Sequence, residues 1–319
     1  MEKIKILISG IGKRNTLIRL LKKEANIHNI VLIGADADNF PPARIEFENF
    51  IKISLASSSE FLPNYLSCLT GNNIDAFLTL IDYEIPLLGR INYCPESSHP
   101  TLINPNFSTA LLCEDKYQFS IVAKNNDIKV LPTSLEPLSE YPFIRKDRRG
   151  SAGSGFKIYN GPQDLDGEIK SEGKFIYQPL CNGAHYCVDV YFSIYTHKMI
   201  DFCVKKVLNK SNGESFLMES MEPGKFIPFI ERISNWIQLR GIVNFDIYEE
   251  NGELILMEIN CRIGGNYPAS HAFGCNLLQH MLFEIVNKKA SSIQSKPYKP
   301  GLLVSKYFEF TPAMPVKLL

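Results

Sequence analysis

The residues best suited to chemistry lie between Asn244 and Asn266, in the stretch NFDIYEENGELILMEINCRIGGN. Glu258, Asn260 and Arg262 recur at i, i+2 and i+4, the spacing that lines one face of a strand. Asn244 and Asp246 repeat that spacing upstream, and Asn251-Gly252 between the two runs is a hairpin signal. Two carboxylates and an amide oxygen suit Mg²⁺, a hard cation that takes oxygen ligands and keeps positions open for phosphates. Arg262, one step further on the same face, suits a phosphoryl oxygen. The polar outer face of an ordinary antiparallel hairpin has the same pattern.

Whether Asp246 joins Glu258 depends on parity. A three-residue loop of Glu250, Asn251 and Gly252, with Gly252 left-handed, points both side chains to one side. A plain two-residue turn on Asn251-Gly252 separates them unless a bulge restores the register. The shared-metal reading favours the three-residue loop.

A second cluster lies about a hundred residues earlier, in PFIRKDRRGSAGSGFKIYNG. A strand beginning at Phe143 carries Lys146. Gly150, Ser151, Gly153, Ser154 and Gly155 follow, and a second strand resumes at 156–159. Small residues let backbone N–H groups approach phosphate oxygens, and the lysine supplies a point charge. The G-K-[ST] ending and following helix of a P-loop are absent.

The elements that must hold these clusters alternate. Apolar runs at 4–9, 30–35 and 75–81 read as strands separated by helical patterns, which implies a parallel sheet with both faces covered. Helices are expected from Ser108 to about 128, over 223–241 and over 269–286, and a last strand within 302–310. Gly10-x-Gly12 closes the first strand, but Asn15 stands where a dinucleotide fingerprint has its third glycine, so a tight strand-to-helix turn is the favoured reading. A nicotinamide-dependent oxidoreductase using this N-terminal part is the rival reading.

The 319 residues are enough for two or three packed units, and 45% hydrophobic with 21% charged is ordinary globular composition. Zero formal net charge gives no basic excess for nucleic acid or an anionic membrane. No apolar run approaches the roughly 20 residues of a membrane span, and MEKIKILISGIG is not a signal peptide. Eight scattered cysteines without a C-x-x-C pair read as reduced thiols in the cytoplasm, with zinc not expected.

The hairpin resembles the metal-binding hairpin of ATP-grasp enzymes, in which an acidic residue precedes an E-x-N-x-R strand. The spacing from Asp246 to Glu258 looks like the biotin carboxylase branch, and EIN-x-R-x-GG looks like the carbamoyl phosphate synthetase branch. The resemblance covers essentially the whole chain. It implies an α/β N-terminal domain with a parallel sheet (1–112), then an α+β ATP-grasp fold of two subdomains, a lid with the glycine-rich loop (113–179) and a C-terminal subdomain with the metal site (180–319). It implies that Asp246, Glu258 and Asn260 hold Mg²⁺, with Mn²⁺ an admissible substitute, and that Arg262 contacts the transferring phosphate. Asn244 stands where one branch has a glutamine ligand.

The same resemblance assigns ATP contacts. Lys116 of the Asp115-Lys116 helix and Lys146 would reach phosphates, under the loop of Gly150, Ser151, Gly153 and Ser154. Gln178, Pro179 and Leu180 would form the adenine linker, with the Leu180 N–H as donor. His185 replaces a glutamate that usually binds ribose, and Asp189 could take part of that role if its strand is bulged. Lys206 is a basic residue before a turn, facing phosphates or the acyl group. Asp36, Asp82 and Glu84 would border the acceptor site.

The activity implied is an ADP-forming ligase that phosphorylates a carboxylate and lets an amine attack the acyl phosphate. Its partners would be small molecules, without nucleic acid or membrane, and a homodimer is compatible with them. A catalytically inactive ATP-grasp binding module is the other alternative, kept open by the His185 replacement.

Overall fold

The computed structural model describes residues 3–91, 100–150, 155–165, 172–211 and 214–312. Strands β1 (Lys5–Ser9), β2 (Val31–Asp36), β3 (Asn49–Lys52), β4 (Ala76–Thr79) and β5 (Thr101–Leu102) form a parallel sheet in the order β3-β2-β1-β4-β5. Helices α1 (Asn15–Ile27), α2 (Phe61–Gly71) and α3 (Ile85–Gly89) connect them. Near-continuous apolar strands are what a sheet buried on both faces requires. Strand order reverses direction between β1 and β4, so their carboxyl ends flank a crevice.

Two helices follow, α4 (Phe107–Glu114) and α5 (Lys116–Asn125), where one was expected. Asp115 interrupts them: its backbone is extended and its carboxylate caps α5, accepting from the Gln118 N–H at 3.1 Å. Strands β6 (Phe143–Asp147), β7 (Lys157–Tyr159) and β8 (Phe175–Pro179) make an antiparallel sheet in the order β7-β6-β8. Its small core is aromatic, with Phe143 stacked on Tyr159 at 4.8 Å between centroids.

The largest sheet holds β9 (Ala184–Phe192), β10 (Met199–Ser211), β11 (Glu214–Ser220), β12 (Gly241–Glu250), β13 (Glu253–Asn260) and β14 (Leu303–Ser305), in the order β13-β12-β9-β10-β11-β14. Helix α6 (Phe226–Ser234) covers one face, and α7 (Tyr267–Ala272) with α8 (Leu277–Asn287) covers the other. Helix α6 is shorter than the expected 223–241. The chain must reach Gly241, whose positive φ of 70° starts β12 where a Cβ would stand 2.6 Å from the Ile103 carbonyl oxygen. The expected helix over 269–286 is broken in the same way, by Gly274 at φ 100°.

Sequential alternation on β12 sends Ile242, Asn244, Asp246 and Tyr248 to one face and Val243, Phe245 and Ile247 to the other, where α6 packs. The site therefore lies on the face that the N-terminal sheet and α7–α8 leave partly open.

Candidate active site

The hairpin between β12 and β13 turns on two residues, not three. Asn251 and Gly252 have φ of 52° and 80°, a tight left-handed turn joining Glu250 directly to Glu253. Parity is restored further along. Ile247 pairs with Leu256, but Asp246 pairs with Glu258, so Met257 is an extra residue in a β-bulge. The expected loop is thus corrected, and the geometry it was meant to deliver is present by the other route. Asp246 faces Glu258 directly, and Asn244 faces Asn260.

Asp246 Oδ2 accepts from Asn260 Nδ2 at 3.0 Å, and Asn260 Oδ1 accepts from Arg262 Nη2 at 3.4 Å. Burial works to raise the Asp246 pKa, yet hydrogen bonds and charge from His185, with help from Cys187 and Lys210, hold it below the usual carboxylate range. The donor set is oxygen-rich and fits a hard divalent cation.

Cations converge from the other side. Lys116 Nζ lies 3.9 Å from Glu258 Oε2 and donates to the Gly150 carbonyl. Burial pulls the Lys146 ammonium pKa down. Glu258 opposes this, Lys116 adds to it and Asp246 opposes it again. The glycine-rich loop is pinned at its start: Arg148 forks onto Asp115 with two bonds of 2.7 Å, and Arg149 reaches the same carboxylate at 3.1 Å. Burial raises the Asp115 pKa, but these arginines and the Gln118 N–H outweigh it and hold it low. Ser151, Gly153 and Ser154 lie outside the described residues. A cleft runs between Asp82, Glu114, Lys116, Gly150, Glu258 and Asn260.

Several expected contacts are placed differently. Arg262 points into the crevice of the N-terminal sheet, with Nε and Nη2 each 2.8 Å from Asp82 Oδ2. Asp36 folds back, accepting from the Gly12 and Asp38 N–H groups at 2.9 Å. Glu84 is buried among Ser9 and Thr79, and burial pushes its carboxyl pKa up. The Leu180 N–H, the expected adenine donor, is bonded to the Pro142 carbonyl at 3.2 Å. Pro179 pairs opposite Phe143 at the end of β8. The Gln178 side chain is buried, with Nε2 on Thr133 Oγ1 at 2.8 Å and Oε1 lacking a partner among the described residues.

Three assignments on β9 and β10 change. His185 turns to Asp246, with Nε2 at 2.8 Å from Oδ1, and stacks on Tyr248. Lys206 pairs with Tyr186, on the face away from Asp246. Lys205, which sequence reasoning passed over, pairs with Cys187 on the Asp246 face. Asp189 is not bulged toward a ribose. It is fully buried, bonded to Lys205, to Ser270 at 2.7 Å and to Asn244 at 2.9 Å. Burial lowers the Lys205 pKa, but Asp189 and nearby thiols raise it more, so the ammonium stays charged. Gly264 completes this packing: a Cβ there would come within 3.2 Å of Asn244 and Asp189.

The N-terminal turn offers no support for the nicotinamide reading. Asn15 opens α1 and donates to the Pro42 carbonyl at 2.9 Å, while Asp36 accepts from the Gly12 and Asp38 N–H groups. Nor is the inactive-module reading supported, since both hairpin carboxylates face one another across the strands. No helix among the described residues is long and apolar enough to cross a membrane.

Residues 113–266 match the ATP-grasp domain family, and residues 6–95 match the family described as PylC-like, N-terminal domain. Among curated proteins, none matches the chain. Solved structures do. Campylobacter jejuni biotin carboxylase, in complex with β,γ-ATP, is 16% identical with a TM-score of 0.71, over 92% of this chain and 73% of that one. Bacillus licheniformis L-amino acid ligase is 14% identical with a TM-score of 0.68, over 90% and 75%. Rhizobium etli pyruvate carboxylase is 15% identical with a TM-score of 0.70 over 91% of this chain, which spans only 29% of that one. Residues 113–266 thus belong to the ATP-grasp domain family, and the chain as a whole, with its parallel N-terminal sheet, has the fold of these structures.

Proposed function

We propose that the protein is an ATP-dependent carboxylate–amine ligase that releases ADP and phosphate. The observation that carries this reading is the pairing of Asp246 with Glu258 across the hairpin, with Asn260 beside them and Lys116 and Lys146 close by. Working boundaries of the parts are 1–112, 113–179 and 180–319.

Asp246, Glu258 and Asn260 would hold Mg²⁺, which when bound neutralises charge on the β- and γ-phosphates. Asn260 presents an amide whose oxygen turns toward a cation by rotation about its last torsion. Lys116 and Lys146 would bind the phosphates from the lid side. Gln178 Oε1, buried and unpartnered, is an acceptor suited to an exocyclic amine of the base. The carboxylate substrate would enter the cleft between Asp82 and Glu258, where Arg262 and its partner Asp82 border the reacting end. Attack of the carboxylate on the γ-phosphorus gives an acyl phosphate and ADP, and the amine then displaces phosphate at the acyl carbon.

The test is ADP release with Mg²⁺, ATP and a panel of carboxylates and amines, amino acids first. Release that depends on both an acid and an amine supports the reading. A flat panel, with product also missing by mass, removes it. Lys146→Ala is expected to weaken ATP binding by about 1.5–3 kcal/mol, roughly 10- to 150-fold, with little change in melting temperature. Calorimetric titration decides this: an unchanged affinity would exclude Lys146 from the phosphate site.

A further inference from the structure

We propose that His185, Cys187 and Asp246 form a second cation site, selective for a borderline-soft divalent ion, zinc. The three are brought together by register. Cys187 lies opposite Asp246 on the neighbouring strand β9, and His185 is two residues away on the same face. The His185 Nε2, Cys187 Sγ and Asp246 Oδ1 atoms stand 2.8, 3.2 and 3.9 Å from one another in pairs.

Those separations decide the fit. A tetrahedral zinc with ligand bonds of about 2.0–2.3 Å holds its ligand atoms roughly 3.3–3.6 Å apart. A triangle with the observed sides has a circumscribed circle of about 2.0 Å radius, so a single ion slightly out of its plane reaches all three atoms at bonding distance. Movements of about half an ångström complete the geometry. The His185 ring is already fixed by its stack on Tyr248, with centroids 4.8 Å apart.

The ligand chemistry selects the ion. Thiolate and imidazole favour zinc over magnesium, whereas the Asp246, Glu258 and Asn260 set is all oxygen. Asp246 divides the two sites by its own oxygens: Oδ1 faces His185 and Cys187, and Oδ2 faces Asn260. One carboxylate would thus bridge a soft and a hard position. His185 and Asp246 side chains are 12% and 19% exposed, which leaves an entry path, while Cys187 forms the buried floor.

Loading balances through two protons. The Cys187 thiol gives its proton to water as the thiolate binds. The His185 Nε2 beside Asp246 Oδ1 must carry no proton to become the ligand, which leaves the ring proton on Nδ1. Nδ1 is buried without a partner among the described residues, so one ring nitrogen is unsatisfied before and after. The site does not depend on the ligase reading, and it is tested without nucleotide.

The experiment is Zn²⁺ titration of the full-length protein, with bound metal measured after dialysis, and a parallel Co²⁺ titration read by absorption. One equivalent of zinc is expected, together with a thiolate-to-cobalt charge-transfer band in the near ultraviolet. Cys187→Ser and His185→Gln should each lower zinc affinity by more than about a hundredfold. Cys181→Ser, a half-buried thiol elsewhere, and Glu258→Gln should retain it. If Cys187→Ser fails to fold, the cobalt band in the parent protein and its loss in His185→Gln decide the matter. Absence of stoichiometric zinc, or zinc retained by both ligand variants, or zinc lost in Glu258→Gln, overturns the assignment.

Discussion

Replacing Glu258 by glutamine is expected to cut ADP release by at least about a thousandfold while leaving the fold intact. A cation-bound carboxylate supplies several kcal/mol of transition-state stabilisation, and each 1.36 kcal/mol is a factor of ten in rate. Glutamine keeps the shape and one oxygen but removes the charge. The structural cost is small, because the Glu258 side chain is 31% exposed and its only ion-pair contact among the described residues is Lys116 at 3.9 Å. Melting temperature should therefore stay close to that of the parent. Single-turnover ADP release at saturating ATP and Mg²⁺ is the measurement. Parental rates in Glu258→Gln would remove this carboxylate from the metal site.

The second large effect is on stability. Lys205→Met should destabilise the protein by about 3–5 kcal/mol, because it leaves Asp189 charged and buried without its cation. Neither side chain has measurable exposure, and Ser270 and Asn244 supply neutral donors only. Against a total stability of about 5–15 kcal/mol, that loss is a fifth or more. The double variant Asp189→Asn with Lys205→Met removes the orphaned charge and should recover part of it. Urea denaturation of the parent and the two variants reads this directly. A Lys205→Met protein as stable as its parent would overturn this role for the Lys205–Asp189 pair.

Much of this architecture was legible in local patterns. The apolar runs marked β1, β2 and β4, and the Glu258, Asn260, Arg262 alternation marked β13, because period-two patterning is local. The bulge at Met257 was not legible, since an extra residue on one strand is defined only by its partner. The same parity problem misdirected the choice between Lys205 and Lys206. The two are adjacent in sequence, and only the pairing with Cys187 and Tyr186 tells which one faces Asp246. Arg262 reads as a free phosphate ligand until Asp82, 180 residues earlier, is folded against it. The cluster of His185 and Cys187 with Asp246 is likewise invisible in cysteine spacing, because its members sit on two strands about 60 residues apart. Helix lengths were overestimated where Gly241 and Gly274 adopt left-handed backbone inside otherwise apolar stretches.

The largest apolar cluster crosses the line between the two family matches. Ile6, Ile8, Leu17 and Ile18 of the N-terminal part share it with Tyr191 and Cys203 of the large sheet and with Leu278, Met281 and Leu282 of α8. A chain cut between the matches would bare both halves of that surface, at about 1.5–3 kcal/mol for each large side chain returned to water. The two matched segments thus share one apolar core. Helix α8 packs on the parallel sheet through this cluster, so that packing stays incomplete until residues 277–287 have been synthesised.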